Sequence, residues 1–347
     1  MPPQQGRRTL VVMRTLPLLD RFGRVGRDLR VSLTDRCNLR CTYCMPPEGL
    51  PWLPDEQELS DDEVVRLATV AVERLGITGI RFTGGEPLLR RGLVDIVRRV
   101  REVQPDRGRL GLSITTNALG LTRRAEDLAA AGLDRVNVSL DTVRPDTFQQ
   151  IALRDRLHDV VAGLEAAHRA GLGPVKVNAV LLRGVNDDQA PELLRWCLER
   201  GYQLRFIEQM PLDAQHGWDR SSMVTADEIH ARLAEEFDLA PASEPRGSAP
   251  AELFAVDGGP ATVGVIASVT RPFCGDCDRV RLTADGQVRT CLFARDESDL
   301  RTALRAGATD EELAERWVVA MRGKAAGHGI DDESFLQPDR PMSAIGG

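Results

Sequence analysis

Cys37, Cys41 and Cys44 stand in the stretch DRCNLRCTYCMP (35–46), separated by three and then two residues. Polar Asn38, Arg40 and Thr42 lie between them, so the segment has no core of its own. Three thiolates this close can wrap a metal cluster. A cubane iron–sulfur cluster has four irons, so three cysteines leave one iron open, as catalytic metal sites keep a position free. A structural zinc loop or three unconnected thiols is the alternative, but zinc wants a fourth Cys or His and the segment has none. A second set lies far along the chain, with Cys274 and Cys277 two residues apart and Cys291 after thirteen more. A zinc knuckle is a serious alternative here, because CxxC is its usual half. No His falls nearby, and again the ligands stop at three. Two sets that each stop at three are more simply two clusters with an open iron apiece than two incomplete zinc sites. Cys197, inside LLRWCLER, reads as a core residue.

These loops need a scaffold, and the chain supplies a repeated one. Ser60 to Glu63 opens a helix with a capping-box pattern, its apolar face runs through Val64, Leu67, Ala68, Ala71 and Leu75, and Gly76 stops it. A short strand follows, and AAGLDRVNVSLD, RAGLGPVKVNAVLL and ERGYQLRFIEQM repeat the order of helix end, Gly and strand. With LRVSLT (29–34) and LGLSITTN (110–117) this makes six strands separated mostly by helices, the pattern of parallel β/α architecture. Five of the six alternate polar and apolar residues, with Arg30, Arg81, Ser113, Thr115, Asn137, Ser139, Lys176 and Asn178 on the polar side. Buried parallel strands are usually apolar on both faces. The expectation is therefore an α/β fold, an incomplete (βα)6 TIM-like barrel whose inner wall lines a polar ligand site; a solvated sheet face is the alternative. Past Met210 the rhythm breaks. Helices are expected near 225–237, 298–306 and 309–322, strands near 262–269 and 279–283, and a loop over 241–250. The expected organisation is an extension over 1–25, a barrel over 26–212 and a smaller C-terminal domain over 213–347 that closes one side.

Thr83-Gly84-Gly85-Glu86-Pro87 follows the second strand, where two glycines allow close backbone approach to a ligand and Glu86 could accept from an ammonium group. An ordinary strand-to-helix turn is the alternative. Its position counts, because active sites of β/α barrels sit at the carboxyl ends of strands. Arg279 and Arg281 alternate just after Cys277 and, with Arg30, Arg81 and Lys176, could form a cationic site suited to phosphate. Ordinary surface arginine is the alternative in a chain whose only lysines are Lys176 and Lys324. His158, His168, His216, His230 and His328 show no ligand or triad spacing.

Composition bounds the rest. The chain has 347 residues, 42% hydrophobic and 28% charged, and carries a net charge of −7, which argues against a general nucleic-acid or membrane surface. No apolar run approaches a membrane span of about 18 residues. Residues 1–24 lack a signal-peptide core; they are Arg-rich with no acid before Asp20, a faint transit-peptide trait, and a loose extension or a start at Met13 is the simpler account. Clustered cysteines in a chain of this size point to metal in a reducing compartment rather than a disulfide scaffold.

CNLRCTYC resembles the signature of radical S-adenosylmethionine (SAM) enzymes, and TGGEP resembles their SAM-contacting motif. LRVSLTDRCNLRCTYCMP, IRFTGGEPLLRR, NVSLDT, CGDCDRVRLTADGQVRTCL and the final Gly346-Gly347 together resemble the GTP 3′,8-cyclase family of molybdenum-cofactor biosynthesis, over about residues 28–347. The resemblance implies two [4Fe–4S] clusters, one held by Cys37, Cys41 and Cys44 and binding SAM, the other held by Cys274, Cys277 and Cys291 and facing the purine. It implies SAM contacts at Tyr43, Gly85, Ser139 and Met210. It implies GTP contacts at Arg30, Arg81, Thr115, Lys176 and the segment Arg279, Val280, Arg281, with Arg279 and Arg281 completing the catalytic site. The implied reaction converts GTP to 3′,8-cyclo-7,8-dihydro-GTP after a 5′-deoxyadenosyl radical takes the ribose C3′ hydrogen. The implied setting is cytoplasmic, as monomer or homodimer. Implied partners are a flavodoxin or ferredoxin electron donor and the downstream cyclic pyranopterin monophosphate synthase, with no nucleic acid and no membrane. The terminal Gly-Gly is expected to thread into the pocket, a frayed tail being the alternative. One departure stands out: the family's TTNG reads Thr115-Thr116-Asn117-Ala118 here. If that turn needs φ > 0, Ala118 implies a shifted turn and a displaced Thr115.

Overall fold

The computed structural model describes residues 16–346; residues 1–15, Met13 among them, and Gly347 lie outside the described part. Six strand–helix units open the fold: β1 (Asp28–Ser32), α1 (Asp61–Leu75), β2 (Gly79–Thr83), α2 (Leu93–Arg101), β3 (Gly111–Thr116), α3 (Ala125–Ala130), β4 (Arg135–Ser139), α4 (Pro145–Ala152), α5 (Leu157–Arg169), β5 (Lys176–Val180), α6 (Ala190–Glu199) and β6 (Gln203–Ile207). The local grammar is the expected one. Ser60 and Glu63 cap α1 reciprocally, and Gly76 ends it at φ +72°.

The later elements are α7 (Ala226–Ala234), β7 (Leu239–Pro241), β8 (Glu252–Val256), β9 (Thr262–Ile266), β10 (Arg279–Leu282), β11 (Gln287–Arg289), β12 (Ser298–Asp299), α8 (Arg301–Arg305), α9 (Asp310–Arg322) and α10 (Met342–Ile345). They belong to the same sheet, whose order is β12-β11-β10-β1-β2-β3-β4-β5-β6-β9-β8-β7. β10 pairs parallel with β1, matching Arg281 to Arg30, and β9 pairs parallel with β6. The six-stranded run is thus lengthened at both edges to eight parallel strands, and the antiparallel β7–β8 and β11–β12 additions lie outside it.

The outward side chains, among them Leu29, Val31, Phe82, Ile114, Val138, Val177, Phe206 and Val280, are buried under the helices. The inward polar residues are buried too: Arg30, Ser32, Ser113, Asn137 and Arg281 are all 6% exposed or less. A solvated sheet face is excluded. Residues from every one of the eight parallel strands line a single cavity, so the sheet curls into an unclosed barrel with a polar interior.

Residues 16–25 of the expected extension are tied down. Leu18 is fully buried, and Leu19 bridges Val25. Arg24 pairs with Asp20 and donates to the carbonyls of Cys274, Ala325 and Ala326. Among the described residues no helix is long and apolar enough to cross a membrane.

Candidate active site between two cysteine loops

The first cysteine loop leaves the carboxyl end of β1 and is held from three sides. Gly85 N donates to Thr34 O (2.8 Å) and Glu86 N to Arg36 O (2.8 Å). Arg40 N and Thr42 N donate to Ala152 O and Ile151 O at the end of α4. Asn117 Nδ2 donates to Asn38 Oδ1 (2.7 Å) and lies 3.9 Å from Cys37 Sγ. The two glycines are required by this packing. A Cβ on Gly84 would sit 2.3 Å from Thr34 O, and one on Gly85 would sit 2.4 Å from the carbonyls of Asp35 and Arg36. The close approach expected toward a ligand is therefore first an approach to the cysteine loop itself.

Glu86 departs from its expected role. Its carboxylate is fully buried and accepts from Thr116 Oγ1, Asn117 N and Leu88 N, so most of its acceptor capacity goes to joining the ends of β2 and β3. Burial, opposed by these three donors, puts its pKa at about 7. Ala118 departs as well: it keeps φ +64° while fully buried, so the turn is strained rather than shifted, and Thr115 keeps its place on the cavity wall.

Cys37, Cys41 and Cys44 line a cavity of about 150 Å³ together with Gly84, Gly85, Tyr43 and Ser139. Tyr43, Thr115, Ser139, Asp141 and Met342 also line a second cavity of about 250 Å³, which continues the first to Cys274, Cys277 and Cys291. The two loops therefore face each other across one hollow. Met210, Arg30, Arg81, Arg279 and Arg281 line the larger part. Lys176 does not; it pairs with Asn137, two residues before the Ser139–Asn178 pair, where Arg81, Arg135 and Arg205 act on it. Val280 points its side chain into the outer core, leaving only its backbone toward the hollow.

The electrostatics of the hollow are lopsided. Arg30, Arg81, Arg135, Lys176, Arg205, Arg279 and Arg281 gather around it, with half-buried Asp28 as a facing carboxylate, 3.9 Å from Arg30 Nε. The Nε atoms of Arg30, Arg81, Arg135, Arg205 and Arg279, Thr115 Oγ1 and both side-chain polar atoms of Asn137 are buried without a hydrogen-bond partner. Burial, then the neighbouring Arg30, pushes Arg81 well below its ordinary value; burial followed by Arg30 and Arg279 does the same to Arg281. Burial, with Arg205, Arg135 and Arg81, brings Lys176 down to about 7. Leaving charged donors buried and unpaired costs several kcal/mol in all, and an anionic ligand removes that cost.

Arg135 and Arg205 were not among the expected contacts. Their signal was available in the β6 alternation of Gln203, Arg205 and Ile207 against Leu204 and Phe206, and in Arg135 two residues before Asn137. Two other contributors had none. Asp141 accepts from Tyr43 Oη (2.9 Å) and Val180 N, and burial places it at about 6. Lys324, 2% exposed, donates to Cys277 O (3.0 Å), Cys277 Sγ (3.5 Å) and Arg279 O (2.8 Å). Burial alone would raise the Cys277 thiol, but Arg279 and Lys324 bring it below its ordinary value.

The tail closes the hollow. Ile345 is fully buried, Ser32 Oγ donates to its carbonyl (2.9 Å), and Arg281 donates to Gly346 O. Gly346 has φ +86°, and a Cβ there would lie 2.3 Å from Ser32 Oγ and 2.7 Å from Thr83 Cγ2. The threading expected of the terminal glycines holds for Gly346.

The donor sets fit iron–sulfur clusters. Each thiol trio borders one cavity, and three thiolates leave one iron of a four-iron cluster open toward it. Burial, with the neighbouring Cys37, pushes the Cys44 thiol up to about 12, and a coordinating metal would supply the positive charge that favours its thiolate.

A curled parallel sheet with a three-cysteine loop after its first strand defines a radical SAM enzyme, and the Radical SAM superfamily model matches residues 31–197. The Molybdenum Cofactor Synthesis C model matches residues 202–330. The chain is 66% identical to the GTP 3′,8-cyclase of Streptomyces coelicolor over 331 residues, 95% of this chain and 96% of that protein. It is 58% identical to that of Corynebacterium glutamicum over 353 residues, 100% of this chain and 92% of that one. The chain belongs to the GTP 3′,8-cyclase family. Among solved structures it is similar to Streptococcus suis SuiB bound to precursor peptide SuiA, with TM-score 0.58 and 14% identity over 86% of this chain and 67% of that one, a likeness of fold alone.

Proposed function

We propose that this chain converts GTP to 3′,8-cyclo-7,8-dihydro-GTP in molybdenum-cofactor biosynthesis, using SAM and two [4Fe–4S] clusters. The observation that carries the reading is the single hollow between two three-cysteine loops, lined by arginines whose buried Nε atoms, in Arg30, Arg81, Arg205 and Arg279, have no hydrogen-bond partner. Cys37, Cys41 and Cys44 would hold one cluster and Cys274, Cys277 and Cys291 the other. When bound, the first supplies the electron that splits SAM into methionine and the 5′-deoxyadenosyl radical that takes the ribose C3′ hydrogen.

The chain's own residues bind, orient and shield. Tyr43 within the first loop, and Gly85 and Ser139 beside it, stand where the adenosyl end of SAM would lie, with Met210 on the wall of the larger part. Arg30, Arg81 and Lys176, with Thr115, would take the triphosphate and ribose side of GTP, and Arg205 and Arg135 add to that set. Arg279, the backbone of Val280, and Arg281 would set the base against the second loop; Arg279 is braced by Phe273, 4.2 Å from its ring centre. The buried tail at Ile345 and Gly346 excludes water and stray hydrogen donors from the hollow.

The division near residue 212 into a barrel and a C-terminal part is a functional one in this reading, since each part brings one cysteine loop. A cytoplasmic setting, monomeric or homodimeric, agrees with six thiols that must stay reduced. A flavodoxin or ferredoxin donor and hand-over to the downstream synthase complete the proposal. Anaerobic reconstitution with iron and sulfide, followed by product analysis with SAM and GTP, tests it. Expected are 5′-deoxyadenosine and the cyclised nucleotide in equal amounts. Deoxyadenosine with no change in GTP would sink the substrate assignment, and zinc in place of iron would sink the cluster assignment.

A further inference from the structure

A concavity bordering the first cysteine loop lies outside the hollow. It is an open groove of about 710 Å³ whose wall includes Asn38, the residue next to Cys37. Three segments build it, and each is hydrogen-bonded to the cysteine loop: the turn after β2 through Gly85 and Glu86, the turn after β3 through Asn117, and the end of α4 through Ile151 and Ala152. The groove is therefore the outer surface of the layer whose inner surface carries the thiols. Asn117 lines the thiol side and Asn38 the groove, so the Asn117 Nδ2 bond to Asn38 Oδ1, with Cys37 Sγ 3.9 Å from that nitrogen, links the two surfaces.

The charge of the groove runs against that of the protein. It is lined by Arg91, Arg123, Arg124, Arg154 and Arg156 against only Asp127 and Asp155, in a chain of net charge −7. Arg156 is engaged by Asp159, and Arg124 donates to Arg90 O. Arg91, Arg123 and Arg154 are exposed and make no ion pair among the described residues. Leu89, 42% exposed, adds an apolar patch to the same wall. Unpaired surface arginines beside an exposed leucine are the composition of a protein-docking face, and a positive patch on a negative protein selects a partner with an acidic surface.

We infer that this groove is the docking face for an acidic one-electron carrier protein, placed so that an electron crosses the Asn38–Asn117 layer to the cluster held by Cys37, Cys41 and Cys44. The inference rests on reading those cysteines as that cluster's ligands. The carrier is oxidised by one electron, the cluster is reduced by one, and no atom is exchanged. Guanidinium groups at the rim steer and orient the carrier without entering the chemistry.

The test uses the anaerobically reconstituted protein, purified acidic flavodoxin as the probe, and a variant carrying Arg91→Glu, Arg123→Glu and Arg154→Glu. Calorimetric titration reads binding directly. Flavodoxin should bind the parent protein, at least about tenfold more weakly in 300 mM salt than in 50 mM, and the charge-reversed variant should lose at least tenfold in affinity. 5′-Deoxyadenosine formation driven by reduced flavodoxin should fall by a similar factor, while formation driven by dithionite, which needs no docking face, should stay within about twofold. Equal flavodoxin affinity and equal flavodoxin-driven rate in parent and variant overturn the inference; so does an RNA oligonucleotide that binds the groove while flavodoxin does not. If the Glu variant loses both routes, the milder set Arg91→Gln, Arg123→Gln and Arg154→Gln decides, and an undiminished flavodoxin-driven rate in it overturns the inference. A parent protein that cleaves no SAM with either reductant defeats the cluster assignment instead, and the titration still decides the groove.

Discussion

Gly346→Ala is the sharpest test of the tail. Its left-handed backbone, φ +86°, costs an L-residue with a Cβ about 1–2 kcal/mol. The added carbon would meet Ser32 Oγ at 2.3 Å and Thr83 Cγ2 at 2.7 Å, and both neighbours belong to strands and are at most 2% exposed. Overpacking of that kind costs about 1–3 kcal/mol. Together the penalties reach about 2–5 kcal/mol, a shift of roughly 30-fold to a few thousand-fold toward the released tail. The tail lies over the barrel without being threaded through the helical core, so release should spare the fold. The expected result is a melting temperature within about 2 °C of the parent, loss of amide-exchange protection at Ile345, and a fall of at least tenfold in kcat/KM for GTP as Arg281 loses the Gly346 carbonyl. SAM cleavage without GTP should change little. A variant with a protected tail and parental GTP turnover would refute the packing argument.

Lys176, brought to about 7 by burial and three arginines, should regain its charge when the triphosphate arrives, so GTP binding above pH 7 should take up protons and weaken as pH rises. Calorimetry at pH 8 in buffers of different ionisation enthalpy checks this, and identical heats in all of them would contradict it. In the free protein this lysine's folded pKa lies below its unfolded one, near 10.5, so between about pH 7 and 10.5 the unfolded state binds more protons. Its contribution to stability therefore rises with pH across that window, and its penalty is fully present below 7. Gly85→Ala should drive the first cysteine loop away from β2 and leave the second loop untouched, halving the iron bound after reconstitution; a full complement of iron would count against the close-approach role. Arg205→Ala removes a half-buried guanidinium with an unpartnered Nε from the hollow and should raise KM for GTP about tenfold to a hundredfold while sparing SAM cleavage without GTP, and an unchanged KM would remove Arg205 from the substrate set.

Much of this was legible because it is local. The capping box of α1, the alternation along β1 to β5 and the spacing of both cysteine trios depend on residues within one or two turns of each other, and all reappear in the structure. The strand of 252–256 escaped notice: it is not long, and it follows a Pro/Ser/Gly-rich loop, so its hairpin with β7 rests on a distant partner. Arg205 was passed over because it is one polar residue between Leu204 and Phe206. What makes it part of the site is the curl that carries β6 round toward β1.

Residue types and their order along the chain determined the cysteine-bearing chemistry, the six-fold alternation of strand and helix, and the polar inner wall. Folding decided what no short segment can encode. β9 and β10 join opposite edges of the barrel, bringing the second cysteine loop to face the first. Glu86 turns away from the ligand to tie two strands together, Ala118 keeps the strained turn, and Arg24 holds the Cys274 loop from 250 residues away. The physical reason is that hydrogen-bond partners across a sheet, and the burial that shifts a charge, belong to the surroundings of a residue in space, whereas spacing and alternation are properties of its neighbours in the chain.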